Sequence, residues 1–173
     1  MIGLGQETLD VNNHPKSKGL NFSITEPISF ERIDSKRPNI LYNWLKNRDD
    51  LTNRITISIS VKELPKEMQW PKEEWIQYLK FETGIKDLTA GANNVNQEKY
   101  IVLESYPGVI YNSTNQTQRI DYERKTYNKT VLLFVEGKGF VINMAASTKS
   151  ALELNEGVFM SMINSIVFPD QYN

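Results

Sequence analysis

The chain has 173 residues, enough for one domain with a sizeable core and too few for two ordinary domains. Its composition, 39% hydrophobic and 24% charged with a formal net charge of -1, is globular and gives no overall electrostatic attraction to nucleic acid or to an anionic membrane. Because the sequence contains no cysteine, disulfide bonds, thiolate metal ligands and cysteine nucleophiles are excluded.

Residues 1–19 (MIGLGQETLDVNNHPKSKG) show no hydrophobic period and are predicted to form a flexible tail. Their apolar start changes abruptly to polar sequence at Gln6. Gly3 and Gly5 lie where signal peptidase prefers small residues, so this start is either the end of a signal peptide that continues upstream or a simple disordered terminus. The single histidine, His14, has no periodic neighbours and is predicted to be a flexible surface residue, not a catalytic base or zinc ligand.

Strands are predicted in the segment that follows the tail. The stretch GLNFSITEP alternates apolar and polar residues and ends at Pro27, which indicates a first strand. Residues 40–45 form an apolar run that fits a strand or a helical turn, and residues 55–61 alternate strictly. The two runs are predicted to form a hairpin. The apolar positions of its second strand are Ile55, Ile57, Ile59 and Val61.

The stretch WPKEEWIQYLKFETG changes to a helical period. Pro71 suits the first helical position, and Gly84 suits the C-terminal cap. Trp75, Ile76 and Leu79 share one face at helical spacing and are expected to be buried. The sequence therefore predicts one helix between the hairpin and the strands that follow.

Residues 99–146 are predicted to form a meander of four strands that ends in the most apolar part of the chain, KTVLLFVEGKGFVINMAAS. This part is too short and too interrupted to span a membrane, since a transmembrane helix needs about 20 apolar residues. Gly137 and Gly139 precede strand-forming residues, so they fit a tight hairpin turn better than a phosphate-binding loop, which opens a helix. The first arm is apolar on both faces and should lie centrally in a sheet covered on both sides. Its faces carry Val131, Leu133 and Val135 on one side and Leu132 and Phe134 on the other.

The last predicted element is a helix. Ser150 and Glu153 match the capping box, in which two side chains bind each other's free backbone donors. Gly157 is expected to make the helix begin late or bend, because glycine is a poor helix former. The buried face consists of apolar residues at helical spacing: Leu154, Val158, Phe159, Met162, Ile163 and Ile166.

These elements predict a single α+β domain over residues 20–170, and their order resembles the PsbP-like family. The resemblance rests on GLNFSITEP, RPNILYNWLKNRDDLTNRITISISVKELP, the strand pair around SYPGVIY, the hairpin VLLFVEGKGFVINMAAS and the helix FMSMINSIVF. It implies a central antiparallel β-sheet sandwiched between helices (α/β/α), a fold that the photosystem II extrinsic protein shares with the Ran-binding import factor Mog. Members act mainly as binding or assembly factors, and this chain is most similar to the uncharacterised exported ones. The resemblance therefore implies export, no reaction and no transferable site residue.

No pattern in the chain predicts a catalytic, cofactor-binding or metal-binding residue. The serine-hydrolase motifs Gly-x-Ser-x-Gly and Ser-x-x-Lys and the calcium loop Asp-x-Asp-x-Asp-Gly do not occur. Paired carboxylates are interpreted as solvated charge, because glycosidase carboxylates must face each other across a cleft. A small hydrolase-like enzyme stays the alternative, and a pocket that gathers two or more of Glu104, Asp121 and Glu123 would favour it.

One segment mixes basic and aromatic residues as a surface for single-stranded nucleic acid does. Asp121 and Glu123 cancel part of its charge, so cross-strand pairing at a solvated sheet edge is the better interpretation, and no nucleic-acid partner is predicted. The basic and aromatic residues are Arg119, Arg124, Lys125 and Lys129 with Tyr122 and Tyr127.

The sequence thus predicts a non-enzymatic binding or assembly module that is exported to the periplasm or the extracellular space. No cofactor, metal or transmembrane segment is predicted. Its partner would be an unknown protein or small-molecule ligand, recognised at the sheet edge or by the loops around Trp44 and Trp70. Flat exposed aromatic side chains over a solid core would favour this module over the enzyme.

Overall fold

The structure is a computed structural model that describes residues 6–173. These residues form a two-stranded and a seven-stranded β-sheet, four α-helices and two 3-10 turns, and none of the helices is long and apolar enough to cross a membrane. The strands are β1 Thr8–Val11, β2 Phe22–Thr25, β3 Glu31–Ile33, β4 Ile40–Lys46, β5 Ile55–Glu63, β6 Asn96–Leu103, β7 Tyr106–Gln118, β8 Glu123–Val135 and β9 Lys138–Ala146. The helices are α1 Lys72–Lys80, α2 Glu82–Thr89, α3 Lys149–Leu154 and α4 Glu156–Asn164, with 3-10 turns at Lys66–Met68 and Pro169–Tyr172.

The large sheet is antiparallel throughout, in the order β3-β4-β5-β9-β8-β7-β6. β4 and β5 form the predicted hairpin, so the apolar run of residues 40–45 is a strand and not a helical turn. β6 to β9 form the predicted meander. The two parts join where β5 pairs with β9, with Ile55 opposite Ala146 and Glu63 opposite Lys138. β1 and β2 pair separately as the small sheet.

The large sheet is covered on both faces, as the two-sided apolar strand β8 predicts. Val131 and Leu133 contribute to a main core beneath α3, α4 and the small sheet. Phe134 on the opposite face packs in a second core with Trp75 and Leu79 of α1. The predicted α+β fold, with its antiparallel sheet between helical layers, is therefore confirmed.

The Gly-Lys-Gly stretch forms the predicted hairpin turn. Glu136 and Gly137 lie between β8 and β9 with φ angles of 50° and 76°. Two consecutive positive φ angles define a primed turn, whose twist matches that of the flanking strands. Gly139 already belongs to β9, so a strand follows the turn, not the helix that a phosphate-binding loop requires.

Residues 6–19 are part of the folded domain, which corrects the prediction of a flexible tail for this segment. β1 pairs along its length with β2, and Val11 and Ser17 are buried. Leu9 and Val11 alternate over too few residues to produce a detectable period, so the pairing with β2 could not be predicted. The predicted cleavage segment Gly3-Leu4-Gly5 lies outside the described residues.

The helix predicted after the first hairpin is two helices with different ends. α1 begins at Lys72 with Pro71 as its N-cap, so the proline precedes the first turn instead of belonging to it. Gly84, predicted as a C-terminal cap, lies inside α2. A Cβ atom there would be 2.2 Å from the backbone oxygen of Tyr78. Glycine thus allows α2 to fold back closely on α1.

The last predicted helix is interrupted at Asn155, and its cap differs from the prediction. α3 follows Thr148, whose Oγ1 accepts a hydrogen bond of 3.1 Å from the Ala151 backbone N–H. The capping box of Ser150 and Glu153 is therefore wrong, because both residues lie within the helix. A threonine two residues earlier is the N-cap, and it satisfies the free backbone donor of Ala151 instead of that of Glu153.

The break at Asn155 changes which positions of this segment are buried. Phe159, Met162 and Ile163 of α4 lie in the main core as predicted, whereas Leu154 at the end of α3 is 79% exposed. Gly157 lies in the first turn of α4, as expected for a helix that begins late.

Candidate functional site

A groove runs between the outer strands β6 and β7 and the helices α3 and α4. It consists of two adjoining clefts of about 280 Å³ and 430 Å³, and the larger lies within the range of about 300–1,000 Å³ typical of ligand sites. Four residues line both clefts: Gln97, Asn112, Lys129 and Glu156.

The larger cleft is mainly apolar. Its apolar side chains come from β6, β7 and α4, and the inward-facing ones are Ile101, Leu103, Ile110, Met160 and Ile163. Ile110 and Ile163 are buried, whereas Ile101, Leu103 and Met160 are half-buried. In the described part of the chain, β6 is the last strand of the sheet, so no further strand covers this end of the main core. The core is therefore open to a ligand here.

Lys129 lies between the two clefts and carries a buried charge. It precedes Val131 and Leu133 at two-residue spacing, so the alternation of β8 turns it towards the helices. Lys129 is 8% exposed, and its ammonium pairs with the carboxylate of Glu156 at the start of α4. A buried ammonium is costly without such a partner. The pair is asymmetric, because the side chain of Glu156 is 47% exposed and that of Lys129 only 10%.

The smaller cleft is lined mainly by polar residues. The side-chain amide of Asn112 donates a 3.0 Å hydrogen bond from Nδ2 to Oε1 of Gln97. Gln97 has a φ of 55° at a shift in the β6–β7 register, which marks a β-bulge. Bulges redirect side chains next to binding sites. Here the bulge sets an amide beside the ion pair of Lys129 and Glu156, which line the same cleft.

The two tryptophans predicted at a binding surface lie on opposite faces of the sheet. Trp44 is fully buried in the main core, and its Nε1 donates to Oε2 of Glu26 at 2.7 Å. It offers no surface to a partner, because the alternation of β4 turns it inwards. Trp70 is half-buried at the edge of the second core, where its ring centre lies 4.5 Å from that of Trp75. The structure therefore does not bring the two together.

Trp70 lines a separate hollow of about 270 Å³ beside the β8–β9 turn. The hydroxyl of Tyr106 donates to Oε1 of Glu136 at 3.2 Å, and Nζ of Lys72 lies 5.6 Å from the Tyr106 ring centre. Burial, together with the negative charge of Glu136, raises the pKa of Tyr106 to about 12. The hydroxyl therefore stays protonated at neutral pH and acts as a hydrogen-bond donor.

The three carboxylates of the enzyme alternative are not brought together. Glu104 lies at the turn between β6 and β7, where Tyr172 donates to its Oε2 at 2.8 Å. Asp121 and Glu123 lie beyond the other end of the 13-residue strand β7, about 40 Å away. None of the three lines the groove or the hollow beside Trp70. The arrangement that would favour a carboxylate hydrolase is therefore not formed by these residues.

The basic and aromatic residues of β8 do not form one continuous strip. The alternation of the strand places Arg124 on the opposite face from Lys125, Tyr127 and Lys129. Lys125 lies over the ring of Tyr127 with Nζ 5.4 Å from its centre, whereas Lys129 is buried in the ion pair. Lys129 therefore belongs to the groove and not to a nucleic-acid surface.

His14 lies in an ordered turn. Its Nδ1 accepts a 3.0 Å hydrogen bond from the backbone N–H of Lys16, and its ring centre lies 5.8 Å from that of Tyr42. Within residues 6–173, no group of three or more histidine, aspartate or glutamate side chains could hold a metal ion. The two contacts of its ring hold His14 in the folded domain, which corrects the prediction of a flexible surface residue.

The groove is not predicted by the sequence patterns, although one signal points to it. Lys129 occupies an inward position in the row that continues with Val131, Leu133 and Val135. A charge in such a row indicates a buried partner. The partner could not be identified, because Glu156 follows after a hairpin and a further helix.

Three solved structures resemble the chain along almost its whole length. LpqN of Mycobacterium tuberculosis, described as involved in cell envelope biogenesis, matches with a TM-score of 0.52 and 12% identity, over 94% of this chain and 91% of LpqN. The Ran-binding protein Mog1p of Saccharomyces cerevisiae matches with a TM-score of 0.51 and 11% identity, over 96% of this chain and 98% of Mog1p. Cyanobacterial PsbP of Synechocystis matches with a TM-score of 0.49 and 10% identity, over 96% of this chain and 95% of that protein. No protein-family model and no curated protein matches the chain.

The matches to LpqN and Mog1p show that the chain has the PsbP/Mog-like fold, as the sequence predicts. At 12% and 11% identity they show the fold alone, since one fold supports many functions. The closer relation to exported members stays a prediction.

Proposed function

We propose that the protein is a non-enzymatic binding module that holds a ligand or a partner segment in the groove between β6, β7, α3 and α4. The observation that carries the proposal is the position of Lys129, a buried charge at the junction of an apolar and a polar cleft. A concave, mainly apolar site with a few polar groups is typical of ligand recognition.

Two proteins with the same fold support a binding or assembly role. Mog1p is described as Ran-binding, and LpqN as involved in cell envelope biogenesis; neither description names a reaction. Since a fold does not determine a function, these proteins support only the class of function. The ligand must be argued from the chemistry of the groove.

A photo-crosslinking amino acid at Met160 is expected to capture the bound molecule in the native host, because this half-buried residue lines the larger cleft. The same amino acid at Phe81, which is exposed at the junction of α1 and α2, is the matched control. A third position, Trp70, tests the hollow beside the β8–β9 turn, at the second core on the opposite face of the sheet. Mass spectrometry of the purified protein would identify any adduct.

The three crosslinking positions separate the competing outcomes. An adduct at Met160 without one at Phe81 supports the groove. An adduct at Trp70 alone would place the binding surface at the hollow and contradict the proposal. Equal labelling at all three positions would also contradict it, because a specific site cannot label distant surfaces alike.

We also propose that the protein is exported. The change from apolar to polar sequence at Gln6 supports export, as does the fold shared with a protein described as involved in cell envelope biogenesis. Fractionation of the native host, followed by N-terminal sequencing, is expected to find the protein outside the cytoplasm and beginning at Gln6. Cytoplasmic protein that still begins at Met1 would contradict export.

A further inference from the structure

We infer that the groove binds a carboxylate attached to an aliphatic chain, with the carboxylate on Lys129 and the chain in the larger cleft. This inference rests on the proposed function and specifies its ligand class. Three features of the groove support it: the asymmetry of the ion pair, the charge of the lining and the open end of the main core.

The asymmetric ion pair allows a ligand carboxylate to replace that of Glu156. The side chain of Lys129 is only 10% exposed, whereas that of Glu156 is 47% exposed, so Glu156 can turn into solvent more readily than Lys129. Glu156 lies in the first turn of α4, where the helix dipole favours a carboxylate even when it leaves Lys129. The ammonium stays paired throughout the exchange, so the cost of a buried unpaired charge does not arise.

The lining of the larger cleft favours an anion over a cation. Its charged residues are two lysines, Lys99 and Lys129, and one glutamate, Glu156. When Glu156 turns outwards, the remaining charge next to the cleft is positive. The amides of Gln97 and Asn164 line the same cleft and carry further N–H donors for a carboxylate.

The aliphatic chain of the ligand would lie at the open end of the main core. Ile101, Leu103 and Met160 are half-buried and line the cleft next to Lys129. An aliphatic chain would cover these side chains and remove their apolar surface from water. Since this contribution grows with the area buried, the chain supplies affinity and Lys129 supplies selectivity for the head group.

Three probes of equal chain length test whether the chain supplies affinity and Lys129 supplies selectivity. They are octanoate, octanol and octylamine at neutral pH. Octanoate is expected to bind at least about tenfold more tightly than octanol, because its charge-assisted hydrogen bond to Lys129 adds to the same apolar contact. Octylamine should bind most weakly, because its ammonium meets that of Lys129. Titrations followed by amide NMR shifts would give the affinities and locate each probe on β6, β7 and α4.

The variant Lys129→Met keeps an aliphatic side chain and removes the charge. It is expected to reduce the ratio of octanoate affinity to octanol affinity to about one, since the charged contact that favours the carboxylate is lost. The matched control is Lys149→Met, which removes an exposed lysine at the rim of the smaller cleft and should preserve the ratio. Should Lys129→Met fail to fold, Glu156→Gln tests the same contact with the opposite change in octanoate affinity. It removes the carboxylate that competes with the ligand for Lys129, so octanoate should bind more tightly.

The outcomes distinguish this inference from the proposed function. Equal affinities of the three probes within the groove, or a preference for octylamine, would overturn the carboxylate assignment and leave the groove as a binding site. Absence of shifts at the groove with every probe would overturn the aliphatic ligand, whereas the crosslink at Met160 would still test the proposed function. An octanoate preference that survives Lys129→Met would assign the head group to another residue and overturn the role of Lys129.

Discussion

Replacing Phe134 with alanine is expected to lower the free energy of unfolding by about 3–5 kcal/mol, the loss typical of a buried phenylalanine. Phe134 is 3% exposed, and its ring stacks on that of Trp75 with a centroid distance of 3.6 Å. The substitution removes this contact and leaves a cavity between the sheet and α1, which cannot collapse without moving a strand paired on both sides. Denaturant unfolding, followed by tryptophan fluorescence, measures the change.

The matched control for Phe134 is Phe81→Ala. Phe81 is 67% exposed, so its removal should change the free energy of unfolding by no more than about 0.5 kcal/mol, as is usual for surface positions. A loss below about 1 kcal/mol for Phe134→Ala would show that β8 does not lie between two packed layers.

Replacing Gly108 with alanine is expected to lower the free energy of unfolding by about 3 kcal/mol or more, at the upper end of overpacking effects. Gly108 lies inside β7, paired with Ile101 of β6 and Leu133 of β8. A Cβ atom would be 2.2 Å from the backbone oxygen of Leu132 and 2.7 Å from Cδ2 of Leu133. The oxygen belongs to a paired strand, so relief requires a shift of the backbone. Thermal or denaturant unfolding measures the loss.

Gly157→Ala is the matched control and should change the free energy of unfolding in the opposite direction. A Cβ atom at this exposed position in α4 would meet nothing within 4 Å. Alanine is the better helix former and restricts the unfolded chain, so the free energy of unfolding should rise by about 0.5–1 kcal/mol. If Gly108→Ala proved as stable as the native protein, β7 and β8 could not approach each other as closely as the structure shows.

The parts of the fold that could be predicted are those with a long and regular hydrophobic pattern. β5 alternates over its whole length, and this pattern predicts the hairpin that the structure shows, with the apolar side chains of β5 buried. β8 is apolar on both faces and lies centrally in the sheet, as that pattern requires. In both strands the hydrophobic pattern indicates how many faces are covered by other layers.

The parts that could not be predicted are short or depend on contacts distant in sequence. β1 and β3 contain four and three residues, too few for a period, and both become strands only by pairing with a neighbour. The interruption at Asn155 leaves no mark in the apolar pattern of the sequence, so this pattern predicts one helix where the structure has α3 and α4.

The candidate site is the part that the sequence predicts least well, because a large aromatic residue can lie at a binding surface or in the core. Trp44 occupies an inward position on β4 and is fully buried. The groove instead depends on Lys129 and Glu156, which the fold brings together from β8 and α4. The row of Lys129 with Val131 and Leu133 indicates a buried charge, but Glu156 resembles ordinary surface charge when only its sequence neighbours are considered.

The pairing of β5 with β9 has a consequence for the synthesis of the protein. Residues 55–63 emerge from the ribosome early, but their partner, residues 138–146, comes near the end of the chain. Contacts of such large sequence separation make folding slow, because a long loop must close before they form. Until then one edge of β5, with four apolar side chains, remains unpaired and open to other chains. A nascent or truncated chain that ends before β9 is therefore expected to aggregate, whereas the complete chain buries this edge in the middle of the sheet.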